Sequence, residues 1–249
     1  MNNMHYPRQK PIFENRYDAG RQLAEKLAEY RKKPVVVMAI PNGGVAVGLQ
    51  VATALQADLD LIISRKIPLP LAPEGGCGAV TDDGTIILNE GIVKGANLTR
   101  EQIDDIVSEV KASIRQRSLL YHKDRPLVAL RDKTVIVVDD GLASGFTMMA
   151  ALESVRRRGP RQVIAAAPVG SAIALKNIGI LADRIVTCAV GSEQKFYLAD
   201  FYQYWHEPGD DEVMRYLEEH LRQRSQPDLE PNANGIEITS RPRPYPRLH

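Results

Sequence analysis

Runs of consecutive apolar residues alternate along this chain with stretches in which apolar residues recur at every third or fourth position. Uninterrupted apolar runs predict strands that are covered on both faces, and the three-and-four spacing predicts helices. Strands that alternate with helices form parallel sheets, because a helix carries the chain back to the start of the next strand. The predicted strands are residues 35–40, 59–64, 134–138, 163–167 and 184–189. The pattern therefore predicts an α/β fold with about five parallel strands flanked by helices.

Helical spacing extends over residues 16–30, 45–55, 98–121 and 145–158. Pro34 prevents the first of these helices from continuing, since proline lacks an amide donor. The third begins with Thr99, which is followed three residues later by Gln102. This spacing is that of a capping box, so the helix is expected to begin there.

Other segments carry the residues of turns and loops. Residues 68–78 are rich in Gly and Pro and predict a long exposed loop, and residues 79–88 predict a hairpin with Asp82-Asp83-Gly84 at its solvated turn. Residues 168–171 predict the end of a strand and a turn. Residues 225–249 combine many prolines with few large apolar side chains, which predicts a tail, disordered or lying on a partner, after a domain at 1–224.

Charge and cysteine content narrow the class of protein. Lys and Arg total 32 and Asp and Glu total 31, a formal net charge of +1, so no strong field attracts nucleic acid or an anionic membrane. Cys77 and Cys188 are too few for a disulfide framework. The first ten residues lack an apolar signal core, and the most apolar stretch, residues 163–175, is too short to cross a bilayer. We therefore expect a soluble, cytoplasmic protein with a small-molecule partner.

Residues 135–147, VIVVDDGLASGFT, form the most specific motif of the chain. A buried strand leads to Asp139 and Asp140, and a short loop then leads into a helix. Ligands of open α/β sheets bind at this edge of the sheet. The amides of residues 143–147 and the helix N-terminus can hold a phosphate, and the hydroxyls of Ser144 and Thr147 add donors.

Two adjacent carboxylates beside a phosphate loop need a further explanation, because like charges repel at short distance. A sugar supplies one: Asp139 and Asp140 can accept hydrogen bonds from ribose hydroxyls while the 5-phosphate lies in the loop. Both can also help to hold a Mg²⁺ ion that retains water. The same residues would fit a plain strand-ending turn with a helix cap. Neither GxxxxGK[ST] nor GxGxxG occurs in the chain.

This motif resembles the fingerprint of the type I phosphoribosyltransferase family, in which an apolar strand and two acidic residues precede Thr/Ala-Thr/Ser-Gly-small-Thr/Ser. Phe146 stands where that pattern has a small residue. The resemblance extends from about Phe13 to Leu221 and implies a Rossmann-like fold that binds 5-phosphoribosyl-1-pyrophosphate (PRPP). It also implies a hood at about residues 190–205 and a flexible lid hairpin at about 68–91. The implied PRPP-binding positions are Asp139, Asp140, Gly141, Ala143, Ser144, Gly145, Phe146 and Thr147.

Two further segments can bind the pyrophosphate. Asn42, Gly43 and Gly44 follow the first strand, and their amides match the pyrophosphate loop of the resembled family. Arg65 and Lys66 end the second predicted strand, where their charges can neutralise the departing group. A simple Gly-Gly turn and a solvated pair of cations explain the same residues without a ligand.

An aromatic segment, residues 196–205, is the densest of its kind in the chain. Its rings could form a platform for a flat acceptor. They could equally close the core or a dimer contact.

The hypothesis favoured by the sequence is transfer of ribose 5-phosphate from PRPP to a nitrogenous acceptor such as a nucleobase, with Mg²⁺ as cofactor and pyrophosphate as product. Asp139, Asp140, Arg65 and Lys66 would be the catalytic residues, with Asp140 also able to act as a base. The same fold is used by regulators, so a non-catalytic PRPP or nucleotide sensor is the alternative. We also expect a homo-oligomer, in the simplest case a dimer.

Overall fold

The protein is described here by a computed structural model, which covers residues 11–70, 72–123, 127–191 and 196–225. The tail predicted at 225–249 lies outside these residues except for Ser225, so that prediction and the domain boundary at 224 stay untested.

A five-stranded sheet forms the centre of the described structure, with the order β2-β1-β6-β7-β8. All four neighbouring pairs are parallel, which confirms the prediction from the apolar runs. A second, three-stranded antiparallel sheet has the order β3-β4-β5. The strands are β1 Val35–Ala39, β2 Asp58–Leu61, β3 Ser64–Leu69, β4 Ala72–Thr81, β5 Ile86–Leu88, β6 Thr134–Val138, β7 Gln162–Ser171 and β8 Arg184–Gly191.

Helices cover both faces of the parallel sheet. Side chains alternate along each strand, so Val35 and Val37 pack with α1, α2 and α7 on one face, and Val36 and Met38 pack with α5 and α6 on the other. The helices are α1 Arg16–Lys26, α2 Gly43–Leu55, α3 Glu90–Gly95, α4 Arg100–His122, α5 Phe146–Arg157, α6 Ala172–Ile178 and α7 Asp210–Ser225, with short 3₁₀ turns at Ala28–Tyr30 and Leu198–Phe201.

The predicted start of α4 is confirmed. Thr99 accepts a hydrogen bond from the amide of Gln102, whose side chain accepts one from the amide of Thr99. This reciprocal pair is the capping box that the sequence indicated.

The loop predicted at residues 68–78 was wrong. These residues belong mainly to β3 and β4, where Pro68 lies opposite Gly76, and Cys77 is buried. Gly78 is needed for the pairing itself, because a β-carbon there would lie 2.1 Å from the carbonyl oxygen of Ile87. A residue type that is typical of loops here permits close strand pairing. The hairpin predicted at residues 79–88 is confirmed, with its turn between β4 and β5.

Three predicted boundaries also need correction. The second strand ends at Leu61, and Arg65 and Lys66 lie on β3 instead of ending β2. Residues 168–171 continue β7, since Val169 and Gly170 still pair with β8. Helix α2 begins at Gly43, so the two glycines lie in its first turn. For residues 168–171 and for the two glycines, strand pairing and helix formation overrode the local turn preference.

Candidate functional site

The carboxyl ends of β1 and β6 lie side by side, because the two strands pair in parallel register from Val35 opposite Thr134 onward. The segment from Pro41 to Gly44 therefore meets the paired carboxylates that follow β6. The contact is close: a β-carbon at Gly43 would lie 2.0 Å from Oδ2 of Asp140, and one at Gly44 would lie 2.8 Å from the carbonyl oxygen of Val138. Only glycine fits at either position, so the structure brings the two predicted phosphate-binding segments together.

Asp140 is buried and paired with a residue that the sequence did not single out. The Nε of Arg16, at the start of α1, donates to Oδ2 of Asp140 at 2.7 Å, and both side chains are largely buried. Arg16 Nη1 donates to the carbonyl oxygen of His206 at 2.6 Å. The guanidinium also lies 4.0 Å from the ring centre of Trp205. Nothing in the local sequence distinguishes Arg16 from a solvated helix-start arginine, because its partners come from distant elements.

Asp139 has a different environment. Its Oδ1 accepts a hydrogen bond from the amide of Asp140 at 2.9 Å. Burial and, secondly, the neighbouring Asp140 carboxylate raise the pKa of Asp139 well above its ordinary value. The two adjacent carboxylates are thus chemically distinct, one ion-paired and one that holds a proton more tightly.

The predicted phosphate loop leads from Gly141 into α5. Gly145 is the N-cap residue of α5 and has a φ of 85°, a left-handed conformation that favours glycine. Ser171 Oγ donates to the carbonyl of Ala143, and Asn177 donates to the carbonyl of Ser144. Both hydrogen bonds use the carbonyl oxygens of the loop. Within the described part of the chain, the amides of residues 143–145 donate no hydrogen bond. The loop can therefore present its amides to an anion.

The remaining residues of this loop have different exposures. Ala143 and Ser144 are exposed, and Phe146 and Thr147 are half-buried in the first turn of α5. Gly141 is covered by the 3₁₀ turn at Leu198–Phe201: a β-carbon there would lie 2.1 Å from Cδ1 of Leu198.

A polar cavity of about 350 Å³ opens beside the Pro41–Asn42 peptide, which is cis. Its wall includes Asn42 and Gly43 from the first segment together with Arg65 and Lys66, so β3 brings both predicted cations beside that segment. Arg65 Nη1 donates to Ser113 Oγ of α4 at 2.8 Å. Arg117, also on α4, is a third cation in the wall that the sequence did not reveal. The wall also includes Glu207, so its three cations leave a net positive charge that favours an anion as the occupant.

The side chain of Asn42 is used within the protein. Its Nδ2 donates to the carbonyl of Pro208 at 2.9 Å and to Oδ1 of Asp210 at 3.0 Å. Asp210, at the start of α7, also accepts from Tyr121 at 2.6 Å and from Arg117 at 3.2 Å. Burial alone would raise the pKa of Asp210, but these hydrogen bonds lower the pKa overall. Asp210 therefore stays ionised and accepts hydrogen bonds from all three side chains. Asn42 can therefore offer an anion its backbone, while its side chain fixes the loop to α7.

The aromatic segment divides between core and surface. Phe201 and Tyr202 are buried and form a small cluster with Phe13, and Tyr202 donates to the carbonyl oxygen of Asp140 at 2.6 Å. Tyr197 and Tyr204 are exposed by 62% and 61%, and Phe196 and Trp205 are half-buried, so the two tyrosine rings are the most accessible to a ligand.

Asp139 and Asp140 offer the hard oxygen ligands that Mg²⁺ prefers, although Arg16 already occupies one oxygen of Asp140. Among the residues that the structure describes, no group of three or more His, Cys, Asp or Glu side chains could hold a metal. The pair fits a Mg²⁺ ion that is bound mainly by water and substrate phosphates. In the same residues, no helix is long and apolar enough to cross a membrane.

The order of the parallel strands, with a paired-carboxylate loop after the central strand β6, places the protein in the Rossmann-like α/β class. Residues 82–200 match the model of the phosphoribosyl transferase domain family. The chain is 34% identical over 207 residues to the Mycobacterium tuberculosis H37Rv protein named "Putative phosphoribosyl transferase Rv0571c", an alignment that covers 83% of this chain and 46% of that protein.

A solved structure is matched over nearly its whole length. The protein TT1426 from Thermus thermophilus is 32% identical and superposes with a TM-score of 0.69, over 83% of this chain and 98% of that one. The chain belongs to the type I phosphoribosyltransferase family and has its fold. It spans about half the length of the curated relatives that it matches.

Proposed function

We propose that the protein transfers a phosphoribosyl group from PRPP to a nitrogenous acceptor, such as a nucleobase, and releases pyrophosphate. The observation that carries this proposal is the contact between the Asn42–Gly44 segment and the Asp139–Asp140 pair, because it unites a pyrophosphate-type cradle with ribose-binding carboxylates. The amides of residues 143–147 would hold the 5-phosphate. Arg65, Lys66 and Arg117 would hold the pyrophosphate.

The residues have separable roles in the reaction. The bond between the anomeric carbon and the pyrophosphate oxygen breaks, and its electron pair leaves with the pyrophosphate. The three cations of the cavity stabilise that negative charge, and the amide of Gly43 adds a donor, whereas that of Gly44 is bonded to the carbonyl of Ile40. The acceptor nitrogen forms the new bond to the anomeric carbon. Mg²⁺, when bound, neutralises charge on the pyrophosphate.

Asp139 fits the task of taking the proton that the acceptor nitrogen loses. Its raised pKa brings its proton affinity closer to neutral pH, where a general base is most effective. Arg16 engages Asp140, so we assign to Asp140 the binding of ribose through its other oxygen, in place of the basic role that the sequence allowed.

The test is calorimetric titration with PRPP and Mg²⁺. The wild type is expected to bind, and Asp139→Asn and Asp140→Asn are expected to bind at least about tenfold more weakly, since each removes a charge-assisted hydrogen bond. Equal binding by wild type and both variants would contradict the proposal.

A PRPP-binding regulator is the second candidate. It is favoured by the antiparallel sheet, which occupies the segment expected to form a flexible lid and packs against α4 and α5. A screen for pyrophosphate release with purines, pyrimidines and small amines separates the two functions. Release with any acceptor supports the transferase, and PRPP binding without release across the panel supports the regulator.

A further inference from the structure

A groove lies along α7, between that helix and the start of α1. It consists of two adjoining cavities of about 570 and 580 Å³, which share the lining residues Tyr17, His206, Glu212 and Tyr216. The wall of this α1–α7 groove follows the helix from Glu212 to Arg222, which corresponds to about 15 Å of helix. A site of this length suits an extended segment of chain.

Three tyrosine rings form the aromatic part of the groove. Tyr17 and Tyr216 meet edge to face, with 5.7 Å between their ring centres and 74° between their planes. Tyr204 adds a ring whose side chain is 61% exposed. Grooves lined by aromatic rings bind proline-rich segments in the polyproline II conformation, because that conformation is preformed and loses little entropy on binding.

The charged side chains of the groove include an excess of carboxylates. Arg16 in its wall is paired with Asp140, and Arg222 is paired with Glu218. His206 lies 3.0 Å from Glu212. The charges that remain among the described lining residues are three carboxylates and one guanidinium, those of Glu14, Glu212, Glu219 and Arg215. The groove therefore favours a basic occupant.

The chain itself contains a segment of complementary chemistry, RPRPYPR at residues 241–247, which lies outside the described residues. Each of its residues except Arg247 is a proline or precedes one, and both positions restrict the backbone toward polyproline II. The segment has three arginines and no acidic residue. Its sequence thus combines the backbone that aromatic grooves bind with a charge opposite to that of this groove.

The connection to α7 is long enough for this segment to reach the groove. Residues 226–240 separate it from Ser225, the last residue of α7. With a rise of about 1.5 Å per residue, Tyr216 lies about 14 Å back along the helix from Ser225. A flexible chain of the length of residues 226–240 has an r.m.s. end-to-end distance of about 20 Å and an extended limit of about 50 Å. Such a tether gives an effective concentration of about a millimolar, which favours the segment of the same chain over that of another copy.

We propose that residues 241–247 bind in the α1–α7 groove of their own chain. The proline rings pack on the tyrosine rings, and the arginines lie beside the carboxylates of the wall. This contact does not require PRPP, so its test does not depend on the proposed function.

Photo-crosslinking in the full-length protein tests the contact. Benzoylphenylalanine in place of Tyr204 keeps an aromatic ring in the groove and bonds to neighbouring chain on irradiation. Mass spectrometry is expected to find residues 241–247 as the main crosslinked segment, in a product with the mass of a single chain. Tyr197 is the matched control position, since it is 62% exposed and does not line the groove. Its crosslink to residues 241–247 should be about tenfold weaker, because nothing holds the segment there.

Replacing the prolines tests the preformed backbone. The variant Pro242→Ala/Pro244→Ala/Pro246→Ala should lower the crosslink yield from position 204 about fivefold, because a more flexible segment loses more entropy on binding. Asn232→Ala, which changes neither a proline nor a charge of the connection, should give the wild-type yield.

Reversing charges tests the carboxylates from both sides. Arg241→Glu/Arg243→Glu should lower the yield about fivefold through repulsion from the wall. Glu14→Arg should lower it about threefold, and this substitution spares the core because Glu14 is exposed.

Three results would overturn the proposal: no crosslink from position 204 to residues 241–247, equal yields from positions 204 and 197, or wild-type yields in the proline and charge variants. A crosslinked product with the mass of two chains, formed in greater yield at higher protein concentration, would assign the segment to a second copy. That result would overturn binding within one chain.

Discussion

At the scale of single residues, the two carboxylates after β6 have unequal environments although they are neighbours in sequence. Asp140 is turned toward the interior and paired with Arg16, and Asp139 has a raised pKa because of burial and its charged neighbour. The pair should therefore respond differently to substitution.

Asp140→Ala would leave the buried guanidinium of Arg16 without its carboxylate. Removal of one partner from a buried ion pair costs about 3 kcal/mol or more, so we expect the free energy of unfolding in urea to fall by that amount. Asp139→Ala is the matched control and should lower the free energy of unfolding by less, because it removes a carboxylate whose charge is destabilised by burial together with the acceptor of the Asp140 amide. Equal losses in both variants would contradict the role assigned to Arg16.

Arg117 is expected to bind pyrophosphate together with Arg65 and Lys66. Arg117→Gln should weaken pyrophosphate binding by about tenfold, since a charge-assisted bond is lost. Arg115→Gln, on an exposed position of the same helix, should have no effect. Calorimetric titration with Mg²⁺-pyrophosphate measures both, and identical affinities would remove Arg117 from the site.

At the scale of elements, the first turn of α2 and the end of β6 are in contact because neither glycine of the turn carries a side chain. The start of α7 supports this turn through Asp210 and Asn42. The position of the pyrophosphate segment thus depends on the packing of three elements.

Gly43→Ala places a methyl group 2.0 Å from the Asp140 carboxylate in the present geometry. The strands or the carboxylate must move, which should cost about 1–3 kcal/mol of stability and greatly weaken PRPP binding. Gly95→Ala, where a β-carbon meets nothing within 4 Å, is the control. Thermal unfolding and PRPP titration give the two measurements, and wild-type behaviour of Gly43→Ala would show that the contact is dispensable.

The capping box of α4 makes a separate prediction. Thr99→Ala removes the hydroxyl that accepts from the amide of Gln102, so the free energy of unfolding should fall by about 1 kcal/mol. Ser108→Ala, on an exposed position within α4, should cause no loss because alanine is the better helix former. Urea denaturation that ranks the two variants in the opposite order would contradict this account.

At the scale of the whole molecule, the antiparallel sheet β3-β4-β5 packs against α4 and α5. Its turn is attached to the main body through Asp83, which accepts from Ser154 of α5 at 2.8 Å. The adjacent Asp82 retains much accessible surface, yet surrounding protein atoms desolvate its carboxylate and raise its pKa to about 6.

This raised pKa predicts the sign of a pH effect on stability. Asp82 binds a proton more readily in the folded protein than in the unfolded chain, where its ordinary pKa is 3.8. Its contribution to the free energy of unfolding therefore decreases as pH rises from about 4 to about 6. Asp82→Asn should raise the free energy of unfolding at pH 7 and flatten that part of the pH profile. Asp105→Asn, at an exposed position of α4, serves as the surface control. A wild-type slope in Asp82→Asn would contradict the prediction.

The sequence by itself determined the elements whose pattern is local. Strands β1, β6 and β7 are nearly continuous apolar runs, and Thr99 with Gln102 marks the start of α4, because burial on both faces and capping are properties of neighbouring residues. The motif at residues 135–147 likewise carries its own strand, turn and helix start.

Tertiary structure alone decided which distant residues meet. Residues 68–78 have the composition of a loop, and only pairing with a neighbouring strand makes them β-structure. Arg16 lies 124 residues from Asp140, and Asn42 lies 168 residues from Asp210. The pattern of apolar positions in the sequence does not predict such contacts, since each depends on how whole elements pack. The sequence therefore determined where the family motif lies, and the packing of α1, α4 and α7 decided what surrounds it.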